Sequence, residues 1–449
     1  MPENIKKSLD ELHASVSVPE VHAGFFKKLW AFSGPGVLIA VGYIDPGNWV
    51  TAIQGGALYG YLLLFVILIS SLIAMLLQAL CGKLGIVTGM DLAQATRAWV
   101  GSKYAWILWL FAELAIMATD LAEVIGTAIA FHLLFGVSLF WGVVLTLLDT
   151  WLLFVLLSKG IRKLEAVVFV LILTVFAIFA YEVVLAKPNV SSIVQGFLHS
   201  PTILTAKLEG HDSALLIALG IVGATVMPHN LYLHSALVQS RNYVRSDRQH
   251  LREAIRFATW DSNLQLSFSF IINCLLLVLG AALFFGHSLP NTGHFSALYA
   301  SLQDKNIVGS IASETLAILF AIALLASGQN STITGTLTGQ VVMQGFLQLK
   351  IPAWVQRGMT RSIAILPVLL CLYIWGDRER ALENLLVYSQ VFLSLALPMS
   401  MIPLIYLTSS SKVMGEFVNS KFTKVLVILS AALLIGLNLL LILCTRQIS

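Results

Sequence analysis

The chain has 449 residues, of which 58% are hydrophobic and only 11% are charged. A soluble domain usually carries about 25% charged residues, so this composition excludes an ordinary water-soluble protein. The formal net charge is +4, but membrane topology explains where the basic residues lie, and no nucleic-acid partner is expected.

Apolar runs of about 20 residues recur along the chain. Each run is long enough to cross a hydrocarbon core of about 30 Å as a helix that rises about 1.5 Å per residue. The runs are continuously apolar, whereas barrel strands would alternate over about ten residues. The sequence therefore predicts an all-α polytopic membrane protein with eleven transmembrane helices, at about 30–55, 61–86, 104–132, 136–157, 164–186, 213–240, 258–286, 309–346, 362–376, 381–408 and 424–445.

The loops between these helices share the basic residues unevenly. If the N-terminus is cytoplasmic, most of the 27 Lys and Arg residues fall on the cytoplasmic side, as the positive-inside rule requires. We therefore expect a multi-pass protein of the cell membrane with a cytoplasmic N-terminus and an extracellular C-terminus. The Arg-rich stretch 241–256 is either part of this orientation signal or a patch for lipid phosphates.

Two of the predicted helices contain glycine, proline and polar residues near their middle. The first reads GYIDPGN at 42–48, and the sixth reads GATVMPHN at 223–230. Proline removes a backbone donor and clashes with the preceding turn, and glycine lowers the cost of unwinding. Both helices are expected to break near mid-membrane.

The two breaks share the pattern Pro-x-Asn, 182 residues apart, and each opens a set of five spans. Because five is odd, the second set enters the membrane from the opposite side, which predicts an inverted repeat. Paired broken helices in two inverted halves are the best sequence indicator of a midplane binding site. The alternative is a pair of ordinary proline kinks, but the matched register and the polar residues favour a binding site.

The repeat also sets the predicted domain organisation. Residues 1–29 form a polar cytoplasmic segment without the apolar core or cleavage site of a secretory signal. A transport core covers 30–408, with repeats at about 30–186 and 213–408, and residues 409–449 hold a cytoplasmic loop and the eleventh helix. The four cysteines lie far apart without CxxC spacing, so we expect neither a zinc site nor any other cofactor.

The residues at the breaks are suited to a cation. Asp45 would cost at least about 2.5 kcal/mol in lipid, so it is expected to face a cavity. Unwound carbonyls and Asn48 add neutral oxygens, and Met227 adds a thioether. Mg²⁺ and Ca²⁺ take oxygen ligands, whereas a thioether suits softer metals. This set favours Mn²⁺, Fe²⁺, Co²⁺ or Cd²⁺, although a single methionine can also be core filler.

Ionisable residues at membrane depth suggest coupling to protons. His229 and His234 follow the second break, and histidine titrates near physiological pH. In the third span, Asp120 and Glu123 share one helix face. Buried carboxylates and histidines in series relay protons in transporters. A structural role stays equally open for His234 and for Glu113, whereas the Asp120 and Glu123 pair favours function.

Other intramembrane polar residues carry weaker signals. The eighth span is rich in hydroxyls and small residues at 327–336, which allow close helix packing. Gln390 in the tenth span could face the same cavity as the two breaks. The remaining acids lie near span ends or lack a suitably spaced partner, and we interpret them as structural: Asp149, Glu165, Glu182 and Glu314.

Three of these segments match the motifs of a known family. They are DPGN at 45–48, ATVMPH at 224–229 and GQNSTITG at 328–335. With them, in this order, the chain resembles the Nramp family of divalent metal transporters over nearly its whole length, and its short loops resemble the bacterial members. Family branches that carry Mg²⁺ or Al³⁺ differ at the methionine, which this sequence keeps.

The resemblance implies a LeuT-type fold, with five plus five helices in an inverted repeat. It also implies a metal site of three side chains and one backbone carbonyl, which a glutamine of the tenth helix can join: Asp45, Asn48, Met227, Ala224 and Gln390. A separate proton route is implied as well, with two histidines tied to coupling: Asp120, Glu123, Arg241, Arg361, His229 and His234.

The predicted function is proton-coupled import of Mn²⁺ or Fe²⁺, and also Cd²⁺ or Co²⁺, by alternating access. Mg²⁺ and Ca²⁺ are not expected substrates, and no obligate protein partner is evident. One rival is a symporter of organic solutes on the same fold, although an acid and a thioether occupy the breaks. An intramembrane enzyme would need a catalytic motif such as HExxH, which is absent from the sequence. A channel is the third alternative.

Overall fold

The computed structural model describes residues 8–19, 23–157, 160–198, 200–208, 212–286, 294–305, 313–376 and 379–446. The predicted N-terminal segment is therefore described in part. The side chains of Asp149 and Cys444 lie outside the described residues.

The described chain is almost entirely helical, as the continuous apolar runs predict. In chain order the helices are α1 (Phe25–Phe32), α2 (Pro35–Gly42), α3 (Pro46–Tyr59), α4 (Leu64–Thr88), α5 (Leu92–Val100), α6 (Ser102–Phe135), α7 (Leu139–Leu157), α8 (Ile161–Ala186), α9 (Val190–Gly196), α10 (Ala214–Thr225), α11 (Pro228–Leu237), α12 (Arg248–Phe284), α13 (Phe295–Ser301), α14 (Glu314–Val342), α15 (Ala353–Trp375), α16 (Glu379–Ser409), α17 (Ser411–Met414) and α18 (Lys421–Arg446).

Nine helical stretches among the described residues are long and apolar enough to cross a membrane. One of them joins α10 and α11 across the second break. The pair α2 and α3 forms a further crossing, because each half is too short to span alone. With α7, these helices account for the eleven predicted spans.

The first crossing begins later than the sequence predicts. The expected span starts at residue 30, but α1 is a separate amphipathic helix with Trp30 exposed and Phe32 buried. The chain turns at Gly34, whose φ is +136°. A Cβ at this position would overlap the Glu165 carboxylate, so only glycine fits the turn that precedes α2.

A two-stranded parallel sheet ties the N-terminal segment to the end of the second broken helix. Strand β1 (Val16–Ser17) pairs with β2 (Arg241–Asn242). The Ala14 amide also donates to the Gln239 carbonyl at 3.0 Å. Sequence analysis predicts only helices, because two-residue strands leave no periodic signal.

The ninth span is longer than predicted. The expected bounds of 362–376 leave Arg357 and Arg361 outside the membrane helix, but α15 begins at Ala353 and both arginines are buried. A hydropathy pattern excludes charged residues from a span, whereas here they are enclosed by acidic partners on another helix. The start of α15 therefore depends on tertiary contacts.

The two broken helices occupy the centre of the molecule. Every residue of α2 and every residue of α11 is buried. Helix α3 packs on α12 and α10, and α10 packs on α16. The breaks therefore face protein on all sides, which is where unwound backbone can be tolerated at membrane depth.

Candidate functional site

The first break is a helix start placed in the middle of a span. Asp45 caps α3, and its Oδ1 accepts a hydrogen bond from the Asn48 amide at 2.8 Å. Pro46 occupies the first helical position, where its missing N–H would have no partner in any case. The DPGN motif is thus a helix N-cap that also places a carboxylate at mid-membrane.

Side chains from other helices satisfy the carbonyls that the first break releases. An unpaired carbonyl in a membrane costs several kcal/mol. The donors come from α3, α12 and α14, and the pairs are Ser269 with the Ala40 carbonyl at 3.0 Å, Asn273 with Tyr43 at 2.9 Å, Trp49 with Ile44 at 2.9 Å, and Ser327 with Ile44. The unwound segment is therefore held in one conformation.

The second break lacks an acidic cap. Helix α10 ends at Thr225, and Met227 holds the N-cap position of α11 in an extended conformation without a side-chain cap. The Ala224 carbonyl faces the first break, because it accepts a hydrogen bond from Asn48 Nδ2 at 2.8 Å. The two breaks thus lie against each other.

Asp45 and Met227 are both fully buried at this junction. Asp45 Oδ1 also accepts from Asn48 Nδ2 at 2.8 Å, but Asp45 Oδ2 has no hydrogen-bond partner among the described residues. Buried carboxylate oxygens are normally paired. This unpaired carboxylate oxygen is suited to be a ligand for a cation.

Gln390 of α16 lies against both breaks. A Cβ at Gly47 would overlap the side-chain amide of Gln390, and a Cβ at Gly223 would overlap the backbone carbonyl of Gln390. The side-chain oxygen of Gln390, Oε1, has no hydrogen-bond partner among the described residues. The structure therefore brings Gln390 to the residues with which the sequence groups it.

Within the described residues, no group of three or more His, Cys, Asp or Glu side chains could hold a metal ion. The junction contributes one carboxylate, together with amide oxygens, a backbone carbonyl and a thioether. Such a set differs from the closed Cys and His sites of structural zinc. It suits a cation that has to enter and leave.

The two predicted histidines are buried on α11 and contact different helices. His229 Nδ1 lies 3.3 Å from Thr119 Oγ1 on α6. His234 Nδ1 lies 3.0 Å from Gln78 Oε1 on α4. Gln78 in turn donates to the Tyr43 hydroxyl at 2.9 Å. His234 is thereby linked to the first break, whereas His229 faces the helix that carries the predicted acidic pair.

That acidic pair forms a buried network with two arginines of α15. Arg357 contacts Asp120 and lies 2.9 Å from Glu123 Oε2, and Arg361 lies 3.0 Å from the same oxygen. Thr332 of α14 donates to Glu123 at 3.0 Å. Two acids and two arginines make the network formally neutral, so removal of any one member would leave an uncompensated buried charge.

Arg241 does not join this network through any described contact. It pairs instead with Glu165 at 2.9 Å and donates to the carbonyls of Ala31 and Ser33. The structure therefore does not bring Arg241 into described contact with Asp120 or Glu123, and a proton route that leads from them toward Arg241 stays a prediction. Glu165, which sequence analysis treats as an isolated structural acid, is the partner of Arg241.

Three residues with buried polar contacts near these sites are absent from the predicted site. Arg357 is one turn before Arg361 on the same face of α15, so its i,i+4 spacing was a usable signal. Asn230, whose Nδ2 donates to the Ile39 carbonyl, occupies in the second break the position that Asn48 occupies in the first, so comparison of the two repeats was a usable signal. Asn273, whose Nδ2 lies 3.3 Å from Asn48 Oδ1, had no such signal because it stands alone in an apolar span.

Comparison with known proteins identifies relatives of this chain. The family model described as natural resistance-associated macrophage protein-like, Nramp, matches residues 36–444. The chain belongs to the Nramp family. It is 55% identical over 438 residues to the divalent metal cation transporter MntH of Latilactobacillus sakei, covering 98% of this chain and 94% of the relative. It also resembles the solved manganese transporter of Eremococcus coleocola, with a TM-score of 0.90, 47% identity and coverage of 97% and 90%.

A more distant likeness defines the fold. Mhp1, a transporter of the nucleobase-cation-symport-1 family, aligns with a TM-score of 0.58 at 15% identity, covering 87% of this chain and 80% of that chain. At this identity the likeness concerns architecture alone. The predicted LeuT-type fold and the predicted family are confirmed, and this Nramp member is a multi-pass membrane transporter rather than an enzyme.

Proposed function

We propose that this Nramp protein imports divalent transition-metal ions, with Mn²⁺ as the first candidate, by alternating access coupled to protons. The names of its relatives support the divalent metal. The choice of ligands and of coupling residues rests on the site geometry.

The observation that carries the proposal is the buried, unpaired Oδ2 of Asp45 at the junction of two broken helices. Asn48 Nδ2 donates both to the other oxygen of the same carboxylate and to the Ala224 carbonyl, so these oxygens lie close to one another. A divalent cation would neutralise the acid and accept these oxygens as ligands. Met227 and Gln390 stand at the same junction, and their sulfur and oxygen complete the proposed set.

Met227 is proposed to select the metal. A thioether binds Mn²⁺, Fe²⁺, Co²⁺ or Cd²⁺ more readily than Ca²⁺ or Mg²⁺, which are hard ions that keep oxygen ligands. Selection therefore depends on the softness of one ligand, since the rest of the set would also suit hard ions.

The proton is proposed to use a route separate from the metal site. Asp120 and Glu123 lie on α6 and face α15. His229 lies next to the second break and contacts Thr119 on the same helix α6. Inward movement of each positive charge gains about 2.3 kcal/mol per 100 mV of membrane potential. Coupled entry of protons would add to this driving force.

The proposed orientation places the N-terminus in the cytoplasm and the C-terminus outside, because most basic residues then face inward. The transporter would then reside in the cell membrane and move metal toward the cytoplasm.

Uptake into sealed proteoliposomes tests the proposal. Wild type and Met227→Ala are compared for Mn²⁺ and Ca²⁺ uptake, with and without an inward proton gradient. The expected result is Mn²⁺ uptake by wild type that rises with the gradient, no Ca²⁺ uptake, and Ca²⁺ entry through the variant. Equal transport of Ca²⁺ and Mn²⁺ by wild type would show that the thioether does not select the metal.

A further inference from the structure

The two broken helices contact each other through a reciprocal pair of asparagines. Asn48 of the first repeat donates to the Ala224 carbonyl of the second at 2.8 Å. Asn230 of the second repeat donates to the Ile39 carbonyl of the first at 3.5 Å. Asn48 and Asn230 are 182 residues apart, as are the two prolines of the breaks. The inverted repeat therefore places one amide from each half on the backbone of the other.

Asn230 has a second contact that Asn48 lacks. Its Nδ2 lies 3.8 Å from the sulfur of Met227, within hydrogen-bonding distance for a thioether. The side chain is fully buried. A Cβ at Gly42 would overlap its amide nitrogen, so α2 packs directly on this group. The Ile39 carbonyl and the Met227 sulfur are both acceptors, so the NH₂ group of the Asn230 amide, and not its oxygen, has to face them.

We propose that Asn230 is a positioning residue for the metal site, which orients the Met227 thioether and holds α2 against α11. This inference rests on the proposed function, in which Met227 binds the ion. Methionine has three rotatable side-chain bonds, so its sulfur needs a constraint to face the ion. The hydrogen bond from Asn230 occupies one lone pair of the Met227 sulfur and leaves the second lone pair directed away from the Asn230 amide.

This role predicts an effect on metals that scales with their softness. Cd²⁺ depends on the thioether more than Mn²⁺ does. Loss of the Asn230 amide should therefore raise the KM for Cd²⁺ about tenfold and that for Mn²⁺ less than about threefold, where tenfold corresponds to about 1.4 kcal/mol. A residue that only fills space would change both KM values alike.

The test is a double-mutant cycle in proteoliposomes with Cd²⁺ and Mn²⁺ as the two substrates. The variants are Asn230→Leu, which keeps the side-chain volume without donors, Met227→Ala and the combination. If Asn230 acts through Met227, the combined variant should have the same Cd²⁺ KM as Met227→Ala alone. Asn438→Ala is the matched control, because it removes a buried asparagine that bonds Ser394 instead, and it should leave the ratio of the two KM values unchanged.

Two other outcomes separate the claims. If Met227→Ala leaves the ratio of KM values unchanged, the proposed ligand role of Met227 fails first. If Met227→Ala changes the ratio but Asn230→Leu does not, or the two effects multiply, this inference is overturned and the proposed function stands. Should Asn230→Leu fail to fold, Gly42→Ala is measured in its place, because it crowds the same amide. A shifted ratio in Gly42→Ala supports the inference, and an unshifted ratio overturns it.

Discussion

The junction of the broken helices and the α6–α15 network solve the problem of buried charge in opposite ways. At the junction one carboxylate, Asp45, is surrounded by neutral groups and keeps an unpaired oxygen. In the network Asp120 and Glu123 are opposed by Arg357 and Arg361. Asp120 Oδ2 and Glu123 Oε1 also lack a hydrogen-bond partner among the described residues, so the two regions differ in charge balance: each network carboxylate contacts an arginine, whereas no described ion pair involves Asp45.

The difference in charge balance predicts that the two regions respond differently when one charge is removed. Removing one partner of a buried ion pair leaves an uncompensated charge and destabilises a protein by about 3–5 kcal/mol. Removing a charge that has no partner relieves a cost instead, as is common at functional sites. Opposite effects of charge removal on stability should therefore distinguish the two regions.

Removal of Arg357 should change the free energy of unfolding more than any other substitution considered for these two regions. Arg357→Met keeps an unbranched apolar stem but removes the guanidinium and leaves Asp120 and Glu123 with less positive charge, so the free energy of unfolding should fall by about 3 kcal/mol or more. Thermal unfolding of the purified protein in detergent measures this change. Adding Asp120→Asn should restore part of the loss, because the network becomes neutral again.

Arg248→Met provides the control for this variant. Arg248 forms an exposed ion pair with Glu416, and exposed pairs contribute only about 0–1 kcal/mol. If Arg248→Met destabilised the protein as much as Arg357→Met, burial of the network would not be the source of the effect.

The next effect has the opposite sign for stability. Asp45→Asn removes the unpaired charge at the junction and should raise the free energy of unfolding by about 1–3 kcal/mol, the usual cost of an unsatisfied buried group. Mn²⁺ uptake should be lost, because the carboxylate is the only acidic ligand proposed for the ion. Unfolding in metal-free buffer and uptake into proteoliposomes are measured on the same preparation.

A loss of stability in Asp45→Asn would contradict this prediction, because it would mean that the charge itself stabilises the junction beyond the cap that it forms with Asn48. Asparagine is itself a good N-cap residue, so the substitution preserves that hydrogen bond. The comparison thus separates the capping role of residue 45 from its charge.

The two regions also differ in how much of them the sequence predicts. The junction could be located because its groups lie within a few residues of Pro46 and Pro228, where proline chemistry forces a break. The family motifs then indicated the fold and the grouping with Gln390. The partners of Asp120 and Glu123 could not be assigned with equal success, because Arg357 lies 237 residues from Asp120 along the chain.

The predicted helix boundaries are wrong where a helix contains buried charged residues and where a turn depends on a residue that is distant along the chain. The start of α15 was missed because its arginines are neutralised by α6. The start of the first crossing was missed because the turn at Gly34 requires space next to Glu165. In both cases the deciding contact joins different helices, and no local periodicity records it.

A smaller effect tests whether Arg241 belongs with the α6–α15 network. Arg241 pairs with Glu165 and with backbone carbonyls near α1, so Arg241→Ala should slow Mn²⁺ uptake without changing the number of protons that enter per metal ion. Glu123→Gln, within the network, should change that number. Parallel measurement of internal pH and Mn²⁺ uptake gives both quantities. If Arg241→Ala altered the proton count as Glu123→Gln does, Arg241 would lie on the proton route despite the contacts in this structure, and the route would have to form in another conformation of the transport cycle.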